Sequence, residues 1–312
     1  MKQSGALKLI GKILSLLSIG FVVYAVCKMG FDFSFVRSVP LFVLVLLAGV
    51  LLKLVSLWLS STAWSRWLSF FSRTPFKTGD ARRVFIRANI GRYIPGNVMH
   101  FVQRNLFASG MGISQLQLAM STVFEVMSYV TVALLVALLT ARDSLAAVLS
   151  GYFGDKLPVL GIAVACAAVG MLAALFLLRK KIRTALAGHT AGEFLKTLLS
   201  VMGLQFVTLT LLGSVMILLV WYATGSLTLA QAGAVISTYI VAWVLGFIVP
   251  GASGGIGIRE MALLLLLGPM LGDSLVLSLA VIHRLITIIG DFLGYLIVVL
   301  LNRKNGGVAS NA

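Results

Sequence analysis

Chemistry in this chain has to come from a few ionisable side chains set inside otherwise apolar sequence: Arg104, Glu125, Arg259, Glu260, Arg284 beside His283, and Asp291. A charge at the bilayer centre costs about 2.5 to 3.5 kcal/mol on insertion scales, so each is expected to be paired or functional. Two of the arginines close the same pattern. Residues 91–104 read GRYIPGNVMHFVQR and residues 246–259 read GFIVPGASGGIGIR, and both fit G-x3-P-G-x7-R. Gly91, Pro95, Gly96 and Arg104 thus recur as Gly246, Pro250, Gly251 and Arg259, at an offset of 155 residues. Proline removes a backbone donor and glycine tolerates left-handed torsions, so a helix is expected to stop at each Pro-Gly and leave amides and carbonyls unpaired. The run Gly251-Ala252-Ser253-Gly254-Gly255-Ile256-Gly257 then offers amides with few side chains, followed by Arg259-Glu260 at the expected start of a half-helix. Such amides attract anions, and an arginine beside them fits a pair of phosphate oxygens. Arg104 and Arg284 would add a second and a third cation.

Structural readings stand beside these. Arg259 with Glu260, and Arg284 with Asp291, can be ion pairs that lock helices together, and Glu125 is a further acidic partner. Arg104 can line a site or snorkel to the interface, whereas Lys53, about two turns from a helix end, is expected to snorkel. Arg82, Arg83, Arg87 and Arg92 are read as positive-inside residues rather than substrate contacts. His100, His189 and His283 share no ligand spacing, so no metal is expected, and no other cofactor. The glycine run follows no strand and lacks the lysine of a nucleotide loop. Cys27 and Cys166 give neither a disulfide framework nor a metal pattern.

The elements that must hold these residues follow from composition. Of 312 residues 60% are apolar and 11% charged, against roughly a quarter charged in soluble domains. Apolar stretches of about 20 residues, each able to cross a ~30 Å hydrocarbon layer as a helix, predict an all-α polytopic membrane protein and exclude a barrel of alternating strands. Six full spans are expected, at about Leu7–Val26, Val39–Ser60, Leu116–Thr140, Leu157–Leu178, Thr197–Tyr222 and Ser274–Leu301, with interrupted, re-entrant regions at Ala81–Ser109 and Leu229–Leu271. Trp64, Trp67, Leu68 and Phe71 recur at helical spacing opposite Ser65, Arg66, Ser69 and Arg73, which predicts a separate interfacial helix on the cytoplasmic leaflet.

With the N-terminus in the cytoplasm, 18 of the 25 Lys and Arg fall inside, four outside and three at membrane depth, so both termini are expected in the cytoplasm. The net charge of +16 is then a topology signal with attraction to anionic headgroups, and nucleic acid is not an expected partner. The whole chain reads as one integral membrane domain of two inverted repeats, about 1–145 and 155–305, with a short cytoplasmic tail at 302–312. Inverted repeats with broken helices near the midplane are a recurrent transporter architecture, since one half can rock against the other.

The pair IPG-x7-R near Pro95 and VPG-x-SGG-x-G-x-RE from Val249 to Glu260, in a chain of this length with basic cytoplasmic loops, resembles the lysylphosphatidylglycerol synthase transmembrane, or flippase-like, family. The resemblance implies an inner-membrane protein that moves phospholipid or lipid-linked headgroups between leaflets. It further implies a stand-alone member, because no synthase domain follows the last helix. The string GRYIPG is also similar to the DedA membrane proteins. The expected function is translocation of an anionic phospholipid or lipid-linked phosphate headgroup without catalytic chemistry. Its expected site is Arg104, Arg259, Arg284, Pro95, Gly96, Pro250, Gly251, Gly254, Gly255, Glu260 and Glu125. Alternatives are an ion-coupled carrier for a small anion with Glu125 or Asp291 as proton site, and a non-catalytic membrane partner of a lipid-modifying enzyme. A membrane-embedded glycosyl or phosphoryl transferase ranks third, after the carrier, because the outside loops offer only scattered Asp32, Asp143, Asp155 and Asp273.

Overall fold

The computed structural model describes residues 34–72, 76–93, 99–140, 188–248, 255 and 257–304. The expected spans at Leu7–Val26 and Leu157–Leu178 lie outside these residues, as do both cysteines. Among the described residues there are eight α-helices and no strand. They are α1 (Val39–Phe71), α2 (Thr78–Asn89), α3 (Met99–Ser109), α4 (Gln115–Thr140), α5 (Ala191–Thr224), α6 (Leu229–Ile248), α7 (Ile258–Leu271) and α8 (Asp273–Lys304), with a 3-10 turn at Ile90–Tyr93. Helices α1, α4, α5, α6 and α8 are long and apolar enough to cross a membrane. The chain is a multi-pass membrane protein. α6 was expected only as one limb of an interrupted region, and it has spanning length in its own right.

Local chemistry sets several starts. Thr190 accepts the Glu193 amide at 3.2 Å while the Glu193 carboxylate accepts the Thr190 amide at 3.0 Å, a reciprocal cap that fixes the first turn of α5. Ser114 with Gln117 and Thr228 with Gln231 do the same at α4 and α6. α5 stops at Gly225, whose φ of 79° is the left-handed conformation glycine adopts without penalty.

α1 departs from expectation. It continues unbroken to Phe71, 33 residues or about 50 Å, so there is no separate interfacial helix. Trp64, Trp67 and Leu68 are wholly buried rather than dipped into headgroups. The aromatic face is covered by protein: Trp67 lies 5.3 Å from Phe124 of α4 and 5.7 Å from Phe194 of α5, and Trp64 lies 6.1 Å from Phe85 of α2, all between ring centroids. Arg66 and Ser69 stay on the exposed side.

The helices pair in a regular scheme. If α1 is exchanged with α5, α2 with α6, α3 with α7 and α4 with α8, every major packing maps onto another: α1 on α2 becomes α5 on α6, α8 on α1 becomes α4 on α5, and α2 on α8 becomes α6 on α4. The matched helices α1 and α5 run antiparallel, because Tyr222 near the end of α5 bonds the backbone of Ser38 at the start of α1, while Phe194 at the start of α5 meets Phe70 at the end of α1. α1 and α8 instead run parallel and very close. Gly290 and Gly294, one helical turn apart, face Lys53 and Leu57, a small-x3-small seam of the kind that lets membrane helices approach. A Cβ at Gly290 would run into Lys53 Cγ. Gly290→Val is therefore expected to lower stability by about 1–3 kcal/mol, read as a lower melting temperature of the purified protein in detergent. An unchanged melt would show that the seam can part without cost.

Candidate functional site

Between the hairpin α2–α3 and the hairpin α6–α7, about halfway along α1 and α8, lie two adjoining cavities of about 60 Å³ each. They share Lys53, Arg92, His100, Leu212, Trp243 and Phe247 as lining. Each holds a few water-sized molecules. One extends toward Ser56, Ser60, Arg104 and Glu125, the other toward Tyr239, Arg259, Arg284 and Asp291.

Asp291 is the hub of the charged network. Its carboxylate, 1% exposed, meets Lys53 Nζ at 2.8 Å, accepts the Asn89 amide at 2.7 Å and the Tyr93 hydroxyl at 2.7 Å, and has Arg92 at 3.7 Å. This corrects two expectations. Lys53 is buried and ion-paired instead of snorkelling, because α8 passes too close at Gly290 for its stem to turn outward. Asp291 pairs with Lys53 and Arg92, not with Arg284. Arg284 turns to Glu260 of α7 at 3.6 Å, so the expected neighbouring pair of Arg259 and Glu260 is not formed either. The Glu260 carboxylate also accepts the Gly257 amide at 2.6 Å and so caps the start of α7, where Gly257 has a φ of 82°.

Arg104 does not snorkel. It is 2% exposed and bonded to Glu125 of α4 at 2.5 Å, with its guanidinium 3.8 Å from the Phe85 ring centroid. The two hairpins thus use the same device with reversed polarity: cation on α3 and carboxylate on α4, carboxylate on α7 and cation on α8. Arginine is suited to both settings because its planar guanidinium pairs with a carboxylate and stacks on aromatic faces at once.

Arg259 differs from the rest. Among the described residues it has no carboxylate partner, and its Nε is buried without a hydrogen bond. Its stem lies across Gly246 and Gly255: a Cβ at Gly246 would stand 2.5 Å from Arg259 Cγ, and one at Gly255, whose φ is 77°, 2.7 Å from Nε. The guanidinium rests 5.8 Å from the Trp243 ring centroid. Hence the motif needs glycine thirteen residues before arginine, so that the half-helix can fold its arginine back over the preceding helix end. The first copy uses its glycine otherwise, since a Cβ on Gly91 would meet Gln103 Oε1 at 2.5 Å, leaving Arg104 to turn toward Glu125.

Of the sequence-predicted residues, Arg104, Glu125, Arg259, Arg284 and Glu260 gather around these cavities, and Gly255 braces Arg259. Pro95, Gly96, Pro250, Gly251 and Gly254 lie outside the described residues. Arg82, Arg83 and Arg87 engage Trp58, Asp80 and Phe107 and line neither cavity. Arg92 was grouped with them and instead lines both cavities. Asn89, Tyr93, Tyr239 and Trp243 were not singled out from the sequence. Asn89 and Tyr93 precede Pro95 by six and two residues, and that proximity to the first Pro-Gly is the signal that could have found them. Among the described residues no cluster of His, Cys, Asp and Glu could hold a metal ion. Comparison with known protein families gives no match, and no curated protein matches the chain.

Proposed function

We propose that this protein carries the phosphate-bearing headgroup of an anionic lipid across the membrane, with the two hairpins as the moving halves of an inverted repeat and with both termini in the cytoplasm. The observation that carries the reading is the pair of cation-lined cavities about halfway along α1 and α8, between the α2–α3 and α6–α7 hairpins. Supporting it are the antiparallel run of α1 and α5 and the exchange symmetry of the helix packing, which are what two inverted copies of one unit would give. In this reading Arg259, Arg92 and Arg284 face the headgroup, Glu260 holds Arg284, and the Arg104–Glu125 pair fastens α3 to α4 so that each hairpin moves with its following long helix. The Pro-Gly corners would let either hairpin end inside the membrane without a continuous helix. The likeness of the two Pro-Gly segments to the flippase-like family points the same way and rests on those residues alone.

No catalytic step is assigned. Among the described residues the carboxylates near the cavities are each engaged by a cation, and none is placed as a free base. The small size of the cavities favours one second reading, a carrier for a small soluble anion. Purified protein in vesicles containing a trace of acyl-labelled phosphatidylglycerol or phosphatidic acid tests both. Faster exposure of inner-leaflet label to an external quencher than in empty vesicles is the expected result. Transfer no faster than in empty vesicles overturns lipid carriage, and uptake of labelled phosphate in the same vesicles would then favour the soluble anion.

A further inference from the structure

The charge around the two cavities does not balance, and the imbalance has a definite size. Five cations, Lys53, Arg92, Arg104, Arg259 and Arg284, stand against three carboxylates, Glu125, Glu260 and Asp291. The corner residues outside the described set, at 94–98, 249–254 and 256, carry no ionisable side chain and supply no counter-charge. Among the described residues the excess is two positive charges.

The pairing locates that excess. Among the described residues Arg104 is paired with Glu125, Arg284 with Glu260 and Lys53 with Asp291. Arg92 only shares Asp291 with Lys53, at 3.7 Å against 2.8 Å, and Arg259 has no carboxylate among the described residues. The cations left over therefore come one from each hairpin, Arg92 in the 3-10 turn after α2 and Arg259 at the start of α7. Both line the same cavity, together with Tyr239 and Thr287. Unbalanced charge in a low-dielectric interior is costly, and a bound anion of matching charge removes that cost.

Resting on the lipid-carrier reading, we infer that the group bound here is a dianionic phosphate, a phosphomonoester or diphosphate end rather than a phosphodiester, bridging Arg92 of one hairpin and Arg259 of the other. A phosphomonoester carries close to two negative charges at neutral pH and offers three oxygens, so it can meet a guanidinium on each side. A phosphodiester carries one charge and leaves one arginine unmatched. Because the bridge joins the hairpins, the occupied site also ties the two halves together, whereas the empty one leaves two like charges facing a shared space.

The same chemistry could arrive on a lipid or as a free ion, and a binding measurement separates the two sources. The full-length protein, in nanodiscs of zwitterionic lipid, is titrated with short-chain phosphatidic acid, short-chain phosphatidylglycerol and inorganic phosphate. Phosphatidic acid is expected to bind at least about tenfold tighter than phosphatidylglycerol, the value of one charge-assisted contact. That preference should vanish in Arg92→Gln and in Arg259→Gln and persist in Arg92→Lys and Arg259→Lys, which keep the charge if a glutamine variant fails to fold. Inorganic phosphate binding as tightly as phosphatidic acid keeps the dianion site and assigns it to a soluble ion. Equal affinity for the two lipids, no binding of any probe, or a preference that survives both glutamine changes overturns the inference. Binding is read separately from transfer. Vesicles that move both lipids equally would sink this inference and leave the carrier reading standing, and dianion binding without any transfer would do the reverse.

Discussion

Asp291→Ala is expected to destabilise the protein by about 3–5 kcal/mol, the usual cost of stripping one partner from a buried ion pair. The carboxylate satisfies Lys53, Asn89 and Tyr93 at once, and Lys53 is 4% exposed with Gly290 closing its way out. Removing it leaves a buried ammonium and two orphaned donors. Thermal melts of the purified protein are the measurement, with Lys53→Met/Asp291→Leu as control. Replacing the whole pair by apolar groups should recover most of the loss. A single alanine variant that melts with the parent would remove the hub from the account of stability.

Arg259→Gln should have the opposite profile. Its guanidinium makes no ion pair among the described residues, so little folding energy depends on its charge, and glutamine still fits over Gly246 and Gly255. Headgroup transfer, by contrast, should fall by about 10- to 100-fold, the rate equivalent of losing one hydrogen-bonded charge contact of ~1.5–3 kcal/mol. Labelled-lipid transfer in vesicles and a melt on the same preparation give both halves of the result. Transfer at the parental rate in a folded variant would take Arg259 out of the mechanism.

What could be read from residues alone was set by what is local. Apolar run lengths placed α4 and α8 to within three residues and α5 to within six, and the reciprocal caps at Ser114, Thr190 and Thr228 are visible as Ser/Thr-x-x-Gln/Glu. Of the charges around the cavities all but Arg92 were also conspicuous, because burying a charge is costly. Their partners were not. Lys53 and Asp291 are 238 residues apart, and only the glycine seam between α1 and α8 brings them together. Neighbours in sequence such as Arg259 and Glu260 point to different sides of a half-helix, and so proximity along the chain misled. The Trp64–Phe71 stripe misled for another reason: a face that seeks apolar cover looks the same whether lipid or protein provides it, and here Phe85, Phe124 and Phe194 provide it.

The seam between α1 and α8 has a counterpart between α5 and α4, and the two are closed by different means. The first holds the Lys53–Asp291 pair; the second has the Gln205 amide donating to the Glu125 carbonyl at 3.0 Å, a neutral bond. In the proposed carrier the edge held by the buried ion pair is expected to part last, because breaking that pair costs more than breaking a neutral hydrogen bond.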